Sequence, residues 1–151
     1  MPLQIINSVA TWILKKRIHQ MELFLKYPHE VQEELLFNLI KASENTQLGK
    51  KYDFSSMKSY TSFSERIPVS TYEELEPLIE KTRQGEQNVF WHSNIKWFAK
   101  SSGTTNAKSK FIPVSSEALD NNHYKASKDL LCMYLNNNEN SQLFTGKSLR
   151  L

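Results

Sequence analysis

Apolar residues near the start of the chain recur at intervals of three to five. Ile5, Ile6, Val9, Ile13, Ile18, Met21 and Leu25 fall on one face of a helix drawn over residues 3–25. Lys26-Tyr27-Pro28 interrupts that stripe, and a proline is well placed to open a second helix. This one is predicted over about 29–44, with Val31, Leu35, Leu36, Leu39 and Ile40 turned inward and Gly49 ending it. Residues 1–48 thus read as a helical hairpin, in which each stripe buries the other.

Residues 49–85 predict short helices. Ser62 with Glu65, Ser70 with Glu73 and Thr71 with Glu74 have capping-box spacing. The last two pairs compete to start a helix that runs to about Arg83, with Leu75, Leu78 and Ile79 inward and Gly85 as its stop. Pro77 inside that span calls for a late start or a kink.

After Gly85 the period changes. Asn88–Trp91 and Ile95–Ala99 are short, aromatic and separated by a polar turn, as strands are, with Trp91 and Trp97 in their core. Phe111-Ile112-Pro113-Val114 resumes an extended run, so 86–114 reads as strands around a polar loop. Ser115 or Ser116 caps a long helix to about Leu135, with Leu119, Ala126, Leu130, Met133 and Tyr134 as its apolar contacts. Asn136–Asn140 is a loop, and Ser148-Leu149-Arg150-Leu151 alternates like a strand that has just begun. The expectation is an α/β protein, α+β within these residues, that forms the N-terminal part of a larger domain.

Composition narrows the classes. With 39% hydrophobic and 11% aromatic residues in 151, the chain can build a core and is not disordered. Its one cysteine, Cys132, excludes an internal disulfide and a cysteine-clustered zinc site. Cys132 stands among Leu130, Leu131 and Met133 and reads as a small buried hydrophobe; the expected compartment is the reducing cytoplasm. A net charge of +3, scattered among acidic residues, makes no case for nucleic acid. No run reaches the ~18 apolar residues of a membrane span. Lys15, Lys16 and Arg17 follow the N-terminal apolar run rather than precede it, unlike a secretory signal. Basic residues beside an apolar face also occur on membrane-surface helices, but here the hairpin offers ordinary packing, and no membrane partner is expected. His19, His29, His92 and His123 show no metal-ligand spacing.

Lys100 to Lys110 carries the chemistry. These eleven residues hold five hydroxyls, three lysines and Gly103 between extended segments. Gly103 permits a positive φ and a close backbone approach to a ligand, and successive N–H groups can form an anion-binding concavity. Ser101, Ser102, Thr104 and Thr105 add neutral donors, and Lys108 or Lys110 supplies charge. A solvated Ser/Thr-rich hairpin turn has the same composition.

Two nucleotide patterns fail. A P-loop needs a glycine, four residues, then Gly-Lys-Ser/Thr, and Ser141 stands in the first glycine's place ahead of Gly146-Lys147-Ser148. Four glycines spread over the whole chain leave no dinucleotide fingerprint. A third pattern fits. Ser101-Ser102-Gly103-Thr104-Thr105, entered from a strand and followed by a lysine, resembles the phosphate loop of adenylate-forming enzymes, with Asn106 where many of them have a further glycine. The flanks narrow the match: Arg66-Ile67-Pro68-Val69-Ser70-Thr71-Tyr72-Glu73-Glu74-Leu75, Gly85-Glu86-Gln87-Asn88-Val89-Phe90-Trp91, Ile95-Lys96-Trp97-Phe98-Ala99-Lys100, Lys110-Phe111-Ile112-Pro113-Val114-Ser115 and Phe144-Thr145-Gly146-Lys147-Ser148-Leu149. From about Gly49 onward the chain resembles the auxin-responsive Gretchen Hagen family of acyl acid–amido synthetases, especially its bacterial members.

The resemblance implies a two-step ligase that uses ATP and Mg²⁺. A small carboxylic acid becomes an acyl-adenylate, and an amine, usually an amino acid's, displaces AMP. It implies that Ser101, Ser102, Gly103, Thr104 and Thr105 bind the ATP phosphates and that Lys110 is the catalytic cation. It places His123 and Tyr124 on a helix bordering the active site, as substrate contacts. The metal, adenine and acyl-pocket residues are expected beyond residue 151, in the rest of the polypeptide, so residues 1–151 alone are expected to be inactive. Acyl-CoA ligation is the alternative within the same chemistry. A non-catalytic helical interaction module is the alternative outside it.

Overall fold

The computed structural model describes residues 2–101, 109–138 and 140–145. It is mostly helical with one small antiparallel sheet, as an α+β chain should be. In chain order the helices are α1 (Pro2–Lys15), α2 (Ile18–Lys26), α3 (Pro28–Ser43), α4 (Gln47–Lys51), α5 (Tyr60–Arg66) and α6 (Tyr72–Arg83). The strands β1 (Trp97–Lys100) and β2 (Phe111–Val114) follow, then α7 (Ser116–Ala118) and α8 (Lys125–Asn137). These elements belong to two compact units, residues 1–28 with 120–151, and residues 29–119.

In the first unit, the helix expected over 3–25 is two helices, because the chain turns at Lys16-Arg17. Arg17 stands at the turn with helical backbone angles. Its guanidinium grips Asp129 of α8 through Nε–Oδ1 at 2.7 Å and Nη2–Oδ2 at 2.9 Å. This charged pair also revises the inward face of α8. Cys132 and Leu135 are fully buried, whereas Leu130, Met133 and Tyr134, the expected contacts, are exposed. The inward stripe is Asp129–Cys132–Leu135, and hydrophobic periodicity cannot register a stripe that contains a carboxylate. The long helix is also interrupted, by a π-helical stretch over Leu119–Tyr124. Asn7 bridges to the far end of α8, donating to the Ser141 carbonyl at 3.1 Å and accepting from the Phe144 N–H at 3.3 Å.

The second unit is built around Ile40, Phe54 and Met57, with Leu36, Phe37, Leu48, Tyr52, Phe63 and Ile67 packed against them. Gly49 does not end α3; it lies inside α4, buried against the C-terminus of α3. A Cβ there would stand 2.0 Å from the Ser43 carbonyl oxygen, so only glycine permits this approach. Thr46 caps α4: its Oγ1 accepts from the Gly49 N–H at 2.9 Å and donates to the Ser43 carbonyl at 2.7 Å. The segment Asn88–Trp91 is not a strand. The carbonyls of Asn88 and Val89 accept the first N–H groups of α4, from Gln47 at 2.9 Å and Leu48 at 3.1 Å, with Val89 almost wholly buried. A helix start offers unpaired donors, and this bent stretch, with Asn88 at φ 60°, satisfies two of them.

Thr71, not Ser70, caps α6. Its Oγ1 accepts from the Glu74 N–H, and Glu74 Oε2 accepts from the Thr71 N–H at 2.7 Å. No late start occurs. The helix runs through Pro77, whose missing N–H would have met the Glu73 carbonyl in the exposed first turn. Gly85, at φ 99°, closes the helix as expected, with Gly85 N–H donating to Thr82 and Glu86 N–H to Lys81, a Schellman arrangement.

Candidate functional site

β1 and β2 pair antiparallel with Trp97 opposite Val114 and Lys100 opposite Phe111. The pairing extends one step further, where the Ser101 N–H donates to the Lys110 carbonyl at 2.9 Å. That bond fixes the alternation of the ladder: residues 101, 99 and 97 exchange hydrogen bonds with 110, 112 and 114, while 100 and 98 face 111 and 113 without them. Pro113 therefore sits where no ladder donor is needed. Trp97, expected in the core, is exposed on this short hairpin.

The hairpin base brings two predicted site residues together. Ser101 Oγ accepts from the Lys110 N–H at 3.1 Å, so the residues that open and close the polar loop are held side by side. Ser102, Gly103, Thr104 and Thr105 lie outside the described residues, as does Lys108.

Lys110 is also held from a second element. Its Nζ lies 3.0 Å from Glu73 Oε1 and 4.8 Å from the centre of the Tyr72 ring, both in the first turn of α6. Tyr72 Oη accepts the outward-facing N–H of Phe111 at 3.0 Å. The Glu73 carboxyl is held below its usual range, first by a hydrogen bond from its own backbone N–H at the helix start and then by Lys110. Further along α6, the Arg83 guanidinium stacks 4.0 Å from the Phe111 ring, and Lys100 Nζ lies 6.0 Å from it. Three cations thus surround the hairpin base: Lys100, Lys110 and Arg83. Among the described residues Lys100 has no carboxylate partner, while Arg83 pairs with Glu80.

Sequence reasoning overlooked Tyr72 and Arg83 and weighed Glu73 only as a cap partner of Ser70. A tyrosine directly after a capping threonine carries no pattern that announces a bond to a strand 39 residues later. A second polar cluster was also missed. Ser93 Oγ donates to Glu117 Oε2 at 2.8 Å, and His92 Nε2 stands 3.9 Å from Oε1. Backbone and side-chain hydrogen bonds, that from its own N–H first, hold the Glu117 carboxyl below its usual range. The cluster fastens the approach to β1 onto α7, which Ser115 caps through the Ala118 N–H at 3.0 Å.

His123 and Tyr124 belong to the other unit. Both are exposed on the π-helical stretch, their rings edge-to-face at 5.3 Å. Among the described residues no group of three or more His, Cys, Asp or Glu is placed to hold a metal ion, and no helix is long and apolar enough to cross a membrane.

The hairpin base thus brings Ser101, Lys110 and the start of α6 together, with the Lys110 ammonium held on Glu73. A model of the GH3 family N-terminal domain matches residues 17–151. The chain belongs to this family. Its GH3 relatives include the indole-3-acetic acid-amido synthetase GH3.2 of Arabidopsis thaliana, 31% identical over 106 residues, which are 70% of this chain and 19% of the relative. The jasmonoyl–L-amino acid synthetase JAR4 of Nicotiana attenuata is 28% identical over 104 residues, 68% of this chain and 18% of the relative. The chain therefore spans about a fifth of the length of these GH3 synthetases.

Proposed function

We propose that this chain carries the phosphate-binding part of an ATP-dependent GH3 enzyme that activates a small carboxylic acid and joins it to an amine, typically that of an amino acid. In the first step a carboxylate oxygen attacks the α-phosphorus of ATP, the bond to the β-phosphate oxygen breaks, and pyrophosphate leaves. In the second, the amine nitrogen attacks the acyl carbon, AMP departs, and the amine loses a proton. The pairing of Lys110 with Ser101 across the base of a Ser/Thr/Gly run, the Lys110 N–H donating to Ser101 Oγ, carries this reading. Family membership and the amide-forming names of the relatives favour an amine over a thiol acceptor.

In this scheme the backbone and hydroxyls of Ser101, Ser102, Gly103, Thr104 and Thr105 wrap the β- and γ-phosphates. Lys110 stabilises the charge that grows on departing pyrophosphate. The donor set at the hairpin base fits phosphate oxygens. Magnesium, when bound, would neutralise the same phosphates, with its ligands in the rest of the polypeptide. His123 and Tyr124 are assigned to substrate contact. The chain's single buried, reduced cysteine suits the cytoplasm.

The test is acid-dependent exchange of pyrophosphate into ATP by the longer protein that carries these residues, over a panel of aryl and aliphatic acids. Hydroxamate formation then traps the adenylate. Lys110→Ala should lower exchange by ~10²-fold or more, and Gly103→Val should lower it through the backbone while folding is kept. Residues 1–151 alone should be silent. Wild-type exchange in both variants would make the loop a plain turn.

A further inference from the structure

We infer that Glu73 is a positioning residue that holds the Lys110 ammonium and competes with phosphate for it. This inference rests on the reading of Lys110 as the phosphate cation. Glu73 takes no part in the capping box of α6. The cap of α6 is completed by Thr71 and Glu74, so the neighbouring carboxylate is left to face the hairpin. It reaches Lys110 Nζ at 3.0 Å, with the ammonium 4.8 Å from the Tyr72 ring centre.

The backbone on either side of the ammonium is fixed. Ser101 pairs with Lys110 across the hairpin, and Tyr72 Oη holds the N–H of Phe111. An arriving phosphate therefore does not have to move the strand. It has only to swing the flexible lysine side chain away from one carboxylate. Glu73 stays ionised through the neutral range, because its own N–H and Lys110 both favour the charged form. Lys110 and Glu73 are 44% and 67% exposed, so solvent screens their attraction and an anion with several charges can displace the carboxylate. This competition sets nucleotide affinity below what Lys110 alone would give, and it vanishes when Glu73 loses its charge.

The experiment titrates the full-length protein with inorganic pyrophosphate, and separately with ATP, by calorimetry at low and high salt. Glu73→Gln should tighten binding by about 2- to 5-fold at low salt, the size expected of an exposed ion pair. The gain should shrink as salt rises and disappear in a Lys110→Ala background. Urea unfolding of each variant separates these effects from loss of fold. Unchanged or weaker binding by Glu73→Gln, with Lys110→Ala weakened, overturns the inference and leaves the phosphate role of Lys110 standing. An equal gain with and without Lys110 also overturns it, since Glu73 would then act as a general field. Wild-type binding by Lys110→Ala overturns the phosphate role itself.

Discussion

The N–H of Phe111 donates to the hydroxyl of Tyr72 at 3.0 Å. Ladder alternation turns that N–H away from β1, so the strand cannot satisfy it, and the first residue of α6 does. One bond thus joins the helix start to the strand start, directly beside Lys110. Tyr72→Phe keeps the ring and removes the acceptor. It should cost about 0.5–1.5 kcal/mol in urea unfolding, the usual net worth of a hydrogen bond. Hydrogen exchange at the Phe111 amide should accelerate, and an unchanged rate would show that the bond does not hold the strand.

Gly49 offers a sharper test of packing. A Cβ at this position meets the Ser43 carbonyl oxygen at 2.0 Å and the Glu44 carbonyl carbon at 2.9 Å, both backbone atoms that cannot rotate aside. Gly49→Ala should therefore destabilise by about 3 kcal/mol or more, at the upper end of overpacking costs. Gly85→Ala has open space around it and meets only the strain of its positive φ, about 1–3 kcal/mol. Thermal unfolding of the two variants should rank Gly49→Ala as the more damaging.

Thr46 is fully buried and bonded on both sides, to the Gly49 N–H and to the Ser43 carbonyl. Thr46→Val preserves shape and leaves the Gly49 donor without its cap. The expected loss is about 1–2 kcal/mol, read from the urea midpoint at constant slope. Thr71→Ala, at an exposed cap, should cost less, about 1 kcal/mol.

The Arg17–Asp129 pair makes stability depend on pH. The bidentate guanidinium, first by hydrogen bonding and then by charge, holds the Asp129 carboxyl below its usual range. A carboxyl depressed in the folded state contributes its stability fully above the unfolded value, near 4, and loses it as pH falls through the lower folded value. Asp129→Asn should thus be destabilising by about 1–3 kcal/mol at pH 7. The gap from wild type should close as pH falls through the depressed folded value of Asp129, below which the residue at 129 is neutral in both proteins. Chemical unfolding across pH 2–7 would measure it, and a gap that stays constant would remove the pair from the account.

Some of this protein was legible from residue order alone because its causes are local. Proline at a helix start, threonine three residues before glutamate, glycine after the last turn of α6 and a glycine-bearing polar run between extended segments each act within a few residues. They led directly to α3, α6 and the β1–β2 pairing, and the ordered flanks of the polar run led to the GH3 family. The burial of Cys132 was legible for the same reason, since its neighbours are apolar.

What only the tertiary structure decided are contacts between residues distant in sequence, where no local pattern has cause to appear. Arg17, at the break between α1 and α2, meets Asp129, a charge turned inward on α8, although 112 positions separate them. Asn88–Trp91 had the composition of a strand, yet its carbonyls went to the free donors of α4, a partner that the segment's own sequence cannot name. Tyr72 and Glu73 reach Lys110 and Phe111 only because α6 lies against β2. The sequence by itself determined the polar, lysine-flanked run between two extended segments. The fold determined which carboxylate stands against Lys110.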